Sequence, residues 1–205
     1  MIKFLHTFTA AQFRNRVIRL RSAFRAACSP FHAELAALHA EHDAHDAKVQ
    51  AGTAVWEEFD PETGSGWSYG EELGERREDA EDALLVIRKA FVLTAYHLWE
   101  RDAQKWGKSD KSHKDLVKAL EKVSIHVDVR LEELHLLVNC LKHNSKTSDK
   151  LLAMKPSLFA ADFDPKAVHP VTGKPFSRID WADNVVLTDA DVDDYLDVVL
   201  NSGPK

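Results

Sequence analysis

Apolar side chains in this chain recur at steps of three and four residues, and that spacing commits it to helices. Phe13, Val17, Leu20, Phe24 and Cys28 form one stripe from about Thr9 to Cys28; at about 100° per residue they share one side of a helix. Phe31, Leu35, Leu38, His42, His45 and Val49 form a second stripe that fades near Gly52. Ser29–Pro30 between them reads as a stop and restart, with Ser29 as N-cap and Pro30 at the first helical position. A third helix is expected from about Glu78 to Gln104, apolar nearly all round between Ala83 and Trp99, as suits the middle of a bundle.

Ser112 is placed to cap a short helix to about Val123, and a long helix follows over about Val127–His143. Asn144–Ser148 breaks it before a short helix near Asp149–Met154. The stretch 156–187 reads as irregular, with a brief strand at "NVVL". Thr188 with Asp191 three residues on resembles a capping box and opens a last helix to about Leu200. The expected class is all-α: a single domain over 1–205, with about five to six main helices, a turn-rich insertion near 52–74 and an irregular segment near 156–187.

A content of 44% hydrophobic and 29% charged residues suits a chain that buries a core, not a disordered one. The most apolar run is interrupted by Arg88, Lys89 and His97, so no membrane span is expected. The first twenty residues lack the apolar stretch of a signal peptide, and a cytoplasmic protein is expected. Cys28 and Cys140, without motif spacing, read as small buried hydrophobes. Charge is segregated. Residues 1–33 carry six basic side chains and no acid, whereas residues 34–100 carry 5 basic and 16 acidic ones. Residues 101–155 are basic again, with 12 against 8, and the remainder is acidic. Either the two basic segments form a patch for phosphate-bearing partners, or the segments neutralise each other within the fold.

The run Leu134–Asn144, "LHLLVNCLKHN", is the chain's most specific chemical signal. Leu131, Leu134, Leu137, Val138 and Leu141 gather on one face of its helix; Glu132, His135, Asn139 and His143 gather opposite, beside Leu136. A solvated face usually favours Lys, Glu and Arg, whereas this one favours groups that both donate and accept hydrogen bonds. An all-helical chain whose late helix contains "NCLKHN" resembles the HEPN superfamily (higher eukaryotes and prokaryotes nucleotide-binding domains), with its Arg–polar…Lys–His signature. Asn139, Lys142 and His143 match the last three places, and Val138 stands where the family has Arg.

The resemblance implies a metal-independent endoribonuclease or RNA-binding module of a bacterial defence or toxin–antitoxin type system, acting as a homodimer. His143 would be the acid–base, with Asn139 and Lys142 orienting phosphate; an imidazole suits that work near neutrality. With Val138 in place of Arg, catalysis stays open, and Arg14, Arg21 and Arg25, on one face of the first helix, are candidates to supply the missing charge. His135, His97 and Glu100 are secondary candidates. No cofactor is expected.

Two other readings follow from the residues. A non-catalytic HEPN-like dimeric scaffold would use the acidic 34–100 region and the C-terminal "DADVDDYLD" against basic partner proteins, with a dimer seam along the Leu136-bearing stripe. A helical metal-binding protein would use His39, His42, His45, Asp43 and Asp46, although His42 and His45 also continue an apolar stripe, and no residue is assigned to a metal. In the insertion, Trp56, Phe59, Trp67 and Tyr69 either stack on bases, pin the loop or make a subunit contact.

Overall fold

A computed structural model describes residues 2–144, 148–168, 171–174 and 179–205, with the helical backbone alone over 2–8. It is all-α with six helices: α1 (Ile2–Gln50), α2 (Tyr69–Gly107), α3 (His113–Lys122), α4 (Leu131–His143), α5 (Ser148–Met154) and α6 (Asp189–Asn201). Two short strands, β1 (Glu57–Asp60) and β2 (Ser65–Ser68), join α1 to α2. The chain divides into two compact units, one of residues 1–23 and 88–205, the other of residues 24–87. The expected break after residue 144 lies partly outside the described residues, as does part of the 156–187 segment.

Three boundaries differ from expectation. α1 runs unbroken through Pro30. A proline inside a helix removes one backbone bond and costs about 3 kcal/mol. Here both Pro30 and Ala26, whose carbonyl loses its partner, are on the exposed side, where water satisfies that carbonyl. α2 begins at Tyr69, well before Glu78, because Ser68 Oγ accepts the Glu71 N–H (3.2 Å), Glu71 and Glu72 favour the first turn, and Leu73 is buried. α4 begins at Leu131 because Asp128 ties the residues before it into a turn, accepting the Arg130 N–H on its side chain and the Leu131 N–H on its carbonyl.

In the larger unit, α4 is the central helix. Leu131, Leu134, Leu136, Leu137, Val138 and Cys140 are all buried, so Leu136 is covered within the chain along with most of the apolar face, while Glu132, His135 and Asn139 of its stripe are half-buried. α2 is one-sided instead: Val92, Ala95, Tyr96, Trp99 and Ala103 are buried while Val86, Ala90, Thr94, His97 and Arg101 face out. Trp99 is 0% exposed and donates its indole N–H to the Ser202 carbonyl (2.7 Å), which fastens the end of α6. α6 starts with the expected capping box of Thr188 and Asp191, and α3 with the Ser112 cap. At Gly203 an added Cβ would collide with the Phe13 ring, so this close approach needs glycine. The irregular segment contributes a bridge, Phe159 to Val185, in place of a full strand. Asn144 adopts φ +47° as the αL cap of α4. Its side chain donates to the Ile179 carbonyl (2.8 Å) and accepts the Trp181 N–H (2.6 Å), so its role is to clamp this segment.

In the smaller unit, the turn-rich insertion is an ordered hairpin. β1 and β2 pair antiparallel, with Glu57 opposite Ser68 and Asp60 opposite Ser65. Asp60 closes the turn by accepting the Glu62 N–H and the Thr63 hydroxyl, and Gly64 supplies φ +68°. His42 and His45 of α1 pack on Trp56 (ring centroids 5.0 and 4.4 Å), and His45 also packs on Tyr69 (4.3 Å). Trp56 and Tyr69 therefore pin the hairpin, while Phe59 and Trp67 stay 70% and 48% exposed.

Cys28 and Cys140 are buried and neither is in a disulfide. Among the described residues no helix is long and apolar enough to cross a membrane.

Candidate functional site

The polar face of α4 meets α2 and α3 around one phenol. Tyr96 Oη lies 2.8 Å from His135 Nδ1 and 2.9 Å from His113 Nδ1. The two imidazoles stack with centroids 4.1 Å apart and planes within 7°. Beyond them, His135 Nε2 lies 3.0 Å from Asn139 Nδ2, and His113 Nε2 lies 3.3 Å from a Glu132 carboxylate oxygen. Each position follows from local structure. His113 is the first residue of α3, fixed by the Ser112 cap, and Glu132, His135 and Asn139 recur at helical steps on α4.

Hydrogen positions follow from the ends. A carboxylate only accepts, so Glu132 favours the hydrogen of His113 on Nε2. His113 Nδ1 then accepts from the Tyr96 hydroxyl, Tyr96 Oη accepts from His135 Nδ1–H, and His135 Nε2 accepts from the Asn139 amide. The series runs in one direction and leaves every imidazole nitrogen occupied. Burial pushes His113 down to about 4, helped by the neighbouring His135 and by Lys114. Burial also lowers His135, with Lys142 in the same sense and Glu132 and Glu100 opposing. Tyr96 is raised by burial and by Glu100 and Glu132. Both imidazoles are therefore neutral at neutral pH, as the bonding pattern requires.

Of the sequence-derived candidates, Asn139 and His135 meet directly, and Lys142 and Glu100 act on His135 through their charges. His143 is exposed in the last turn of α4, where among the described residues it makes no hydrogen bond or ion pair. Eight residues separate His135 from His143, about 12 Å at 1.5 Å per residue. Val138 is 1% exposed, inside the core. His97 and Glu100 pair with each other on the outer face of α2 (3.3 Å). Arg14 and Arg25 are exposed, and Arg21 is bound to Asp193 and Asp197 of α6. The members that sequence reasoning missed are Tyr96 and His113. Nothing in their spacing connects them to α4; the one available signal was a hydroxyl within an otherwise apolar run, which must find a partner when buried.

Electrostatics decide what this site can hold. A recess of about 230 Å³ beside His113 is bounded by Glu121, Asp128 and Glu132 against Lys114. Elsewhere in this unit cations are paired: Arg16 with the buried Asp102 (2.6 Å), Arg88 with Asp189, Arg130 with Asp194, and Lys155 with Glu133 and Asp191. Every acid of "DADVDDYLD" thus has a basic partner from another segment, although Asp194 and Asp197 stay exposed. Of the two readings of the segregated charge, neutralisation within the fold holds for this stretch. In the smaller unit, among the described residues, no three ligand atoms of His39, His42, His45, Asp43 and Asp46 gather within 4.8 Å. His45 Nε2 is instead within 3.0 Å of the Val55 carbonyl.

No family model, curated protein or solved structure matches this chain.

Proposed function

We propose that this chain is a non-catalytic interaction module on a HEPN-like helical scaffold, in which the Asn139–His135–Tyr96–His113–Glu132 series steadies the helices instead of cutting RNA. The observation that carries this reading is closure: neither imidazole keeps a nitrogen free to move a substrate proton. Three further observations support it. Val138 lies in the core where the family's cation would stand. His135 and His143 are too far apart to serve one phosphate as base and acid. The carboxylates of Glu100 and Glu132 beside His135 outnumber Lys142 and repel phosphate, so stabilisation of a developing phosphorane charge is lacking.

The test is incubation of purified protein with total RNA and tRNA in EDTA, for wild type and His143→Ala. The expected result is no cleavage by either protein. Cleavage by wild type that disappears in His143→Ala would replace this reading with the metal-independent ribonuclease that the signature resemblance implies.

A further inference from the structure

The smaller unit carries a feature that the polar network leaves unused: a short sheet with an unpaired, charged edge. Among the described residues β1 has β2 as its single neighbour. The Tyr69 N–H donates to the Trp56 carbonyl (2.9 Å), which marks that pair as hydrogen-bonded. In an antiparallel ladder such pairs alternate. Glu58 and Asp60 therefore bond to β2, and the backbone groups of Glu57 and Phe59 point outward. Side chains alternate as well, so Glu58 and Asp60 share one face while Glu57 and Phe59 share the other. All four residues are exposed, and Phe59 is 70% exposed although its ring lies over Gly66. The hairpin is already ordered by the Asp60–Thr63 turn and the Trp56–His45 packing, so an incoming strand would meet a formed edge.

Charge selects the occupant. Residues 57–82 hold eleven acidic side chains and two basic ones, Arg76 and Arg77. All eleven acids are exposed. Such a surface repels nucleic acid, and its acids disfavour pairing of β1 with β1 of a second copy. We infer that the outer edge of β1 is a docking site for an extended, basic segment of a partner protein, added as a third strand. Its Lys or Arg residues lie against Glu58 and Asp60, and its apolar residues alternate with them against Phe59. This site rests on the interaction-module reading and supplies its partner class.

The test uses the full chain and a short labelled peptide alternating lysine and valine, compared by fluorescence anisotropy with a peptide of equal composition in two blocks. The alternating peptide is expected to bind about tenfold more tightly. Phe59→Pro removes an outward N–H at a position where an edge strand tolerates proline, and Glu58→Lys reverses the charge. Each is expected to weaken binding of the alternating peptide about tenfold, with the thermal midpoint of the chain unchanged. Equal binding of the two peptides, no binding of either, or unchanged binding by Phe59→Pro would overturn the docking edge. RNA cleavage, measured separately, bears on the interaction-module reading alone, so the two failures are distinguishable.

Discussion

Tyr96→Phe is expected to destabilise the chain by about 3 kcal/mol, because one deleted oxygen strands a buried group on His113 and a half-buried one on His135, each worth about 1–3 kcal/mol when unsatisfied. His113 Nδ1 loses its donor and His135 Nδ1–H loses its acceptor, while the Tyr96 ring stays in place at 2% exposure, so almost no apolar burial is lost. The two imidazoles remain stacked at 4.1 Å with no hydroxyl to satisfy them. A urea unfolding midpoint for the variant reads the effect directly. A loss below about 0.5 kcal/mol, the scale of an ordinary surface substitution, would mean that Tyr96 does not join the two rings.

Stability is also expected to fall as the solution is acidified through the histidine range. The folded chain holds His113 at about 4, below the value of about 6.5 in an unfolded chain. The unfolded state therefore takes up the proton first, and stability is lost as pH falls from about 6.5 towards 4. The loss comes to about 2 kcal/mol by pH 5 and about 3 kcal/mol in full, with His135 adding in the same direction. The groups facing the pair are Tyr96 and Glu100 from α2, Lys114 from α3, and Glu132, Asn139 and Lys142 from α4. Comparing unfolding midpoints near pH 7.5 and pH 5 checks this above the range where carboxylates titrate. An unchanged midpoint would place His113 in water.

Much of this architecture is written in local patterns. The Thr188–Asp191 capping box and the Ser112 cap act within a single turn, so residue types at fixed spacing were enough to place both helix starts. Boundaries decided by distant partners were not legible. Pro30 carries a local stop signal, yet α1 continues because the lost bond faces water. Ser68 gives no strong start signal beside two glycines, yet α2 begins there. The polar stripe on α4 was visible, but its meaning was not. Whether His135 and Asn139 face solvent, substrate or protein depends on Tyr96, 39 residues from His135, and on His113, which sits in a polar connector by sequence alone. Asn144 illustrates the same limit: its place beside Lys142 and His143 suggests a motif, whereas its side chain clamps the segment around Trp181.

The two histidines form a closed series running in one direction, and nitrogen-15 correlation spectra of histidine-labelled protein at neutral pH read out that direction. The expected result is opposite tautomers, His113 carrying its hydrogen on Nε2 and His135 on Nδ1, both neutral and both insensitive to pH until well below the ordinary histidine range. The same tautomer on both rings, or a His135 that titrates near pH 6.5 as a solvent-exposed imidazole does, would contradict closure and return His135 to the list of available bases.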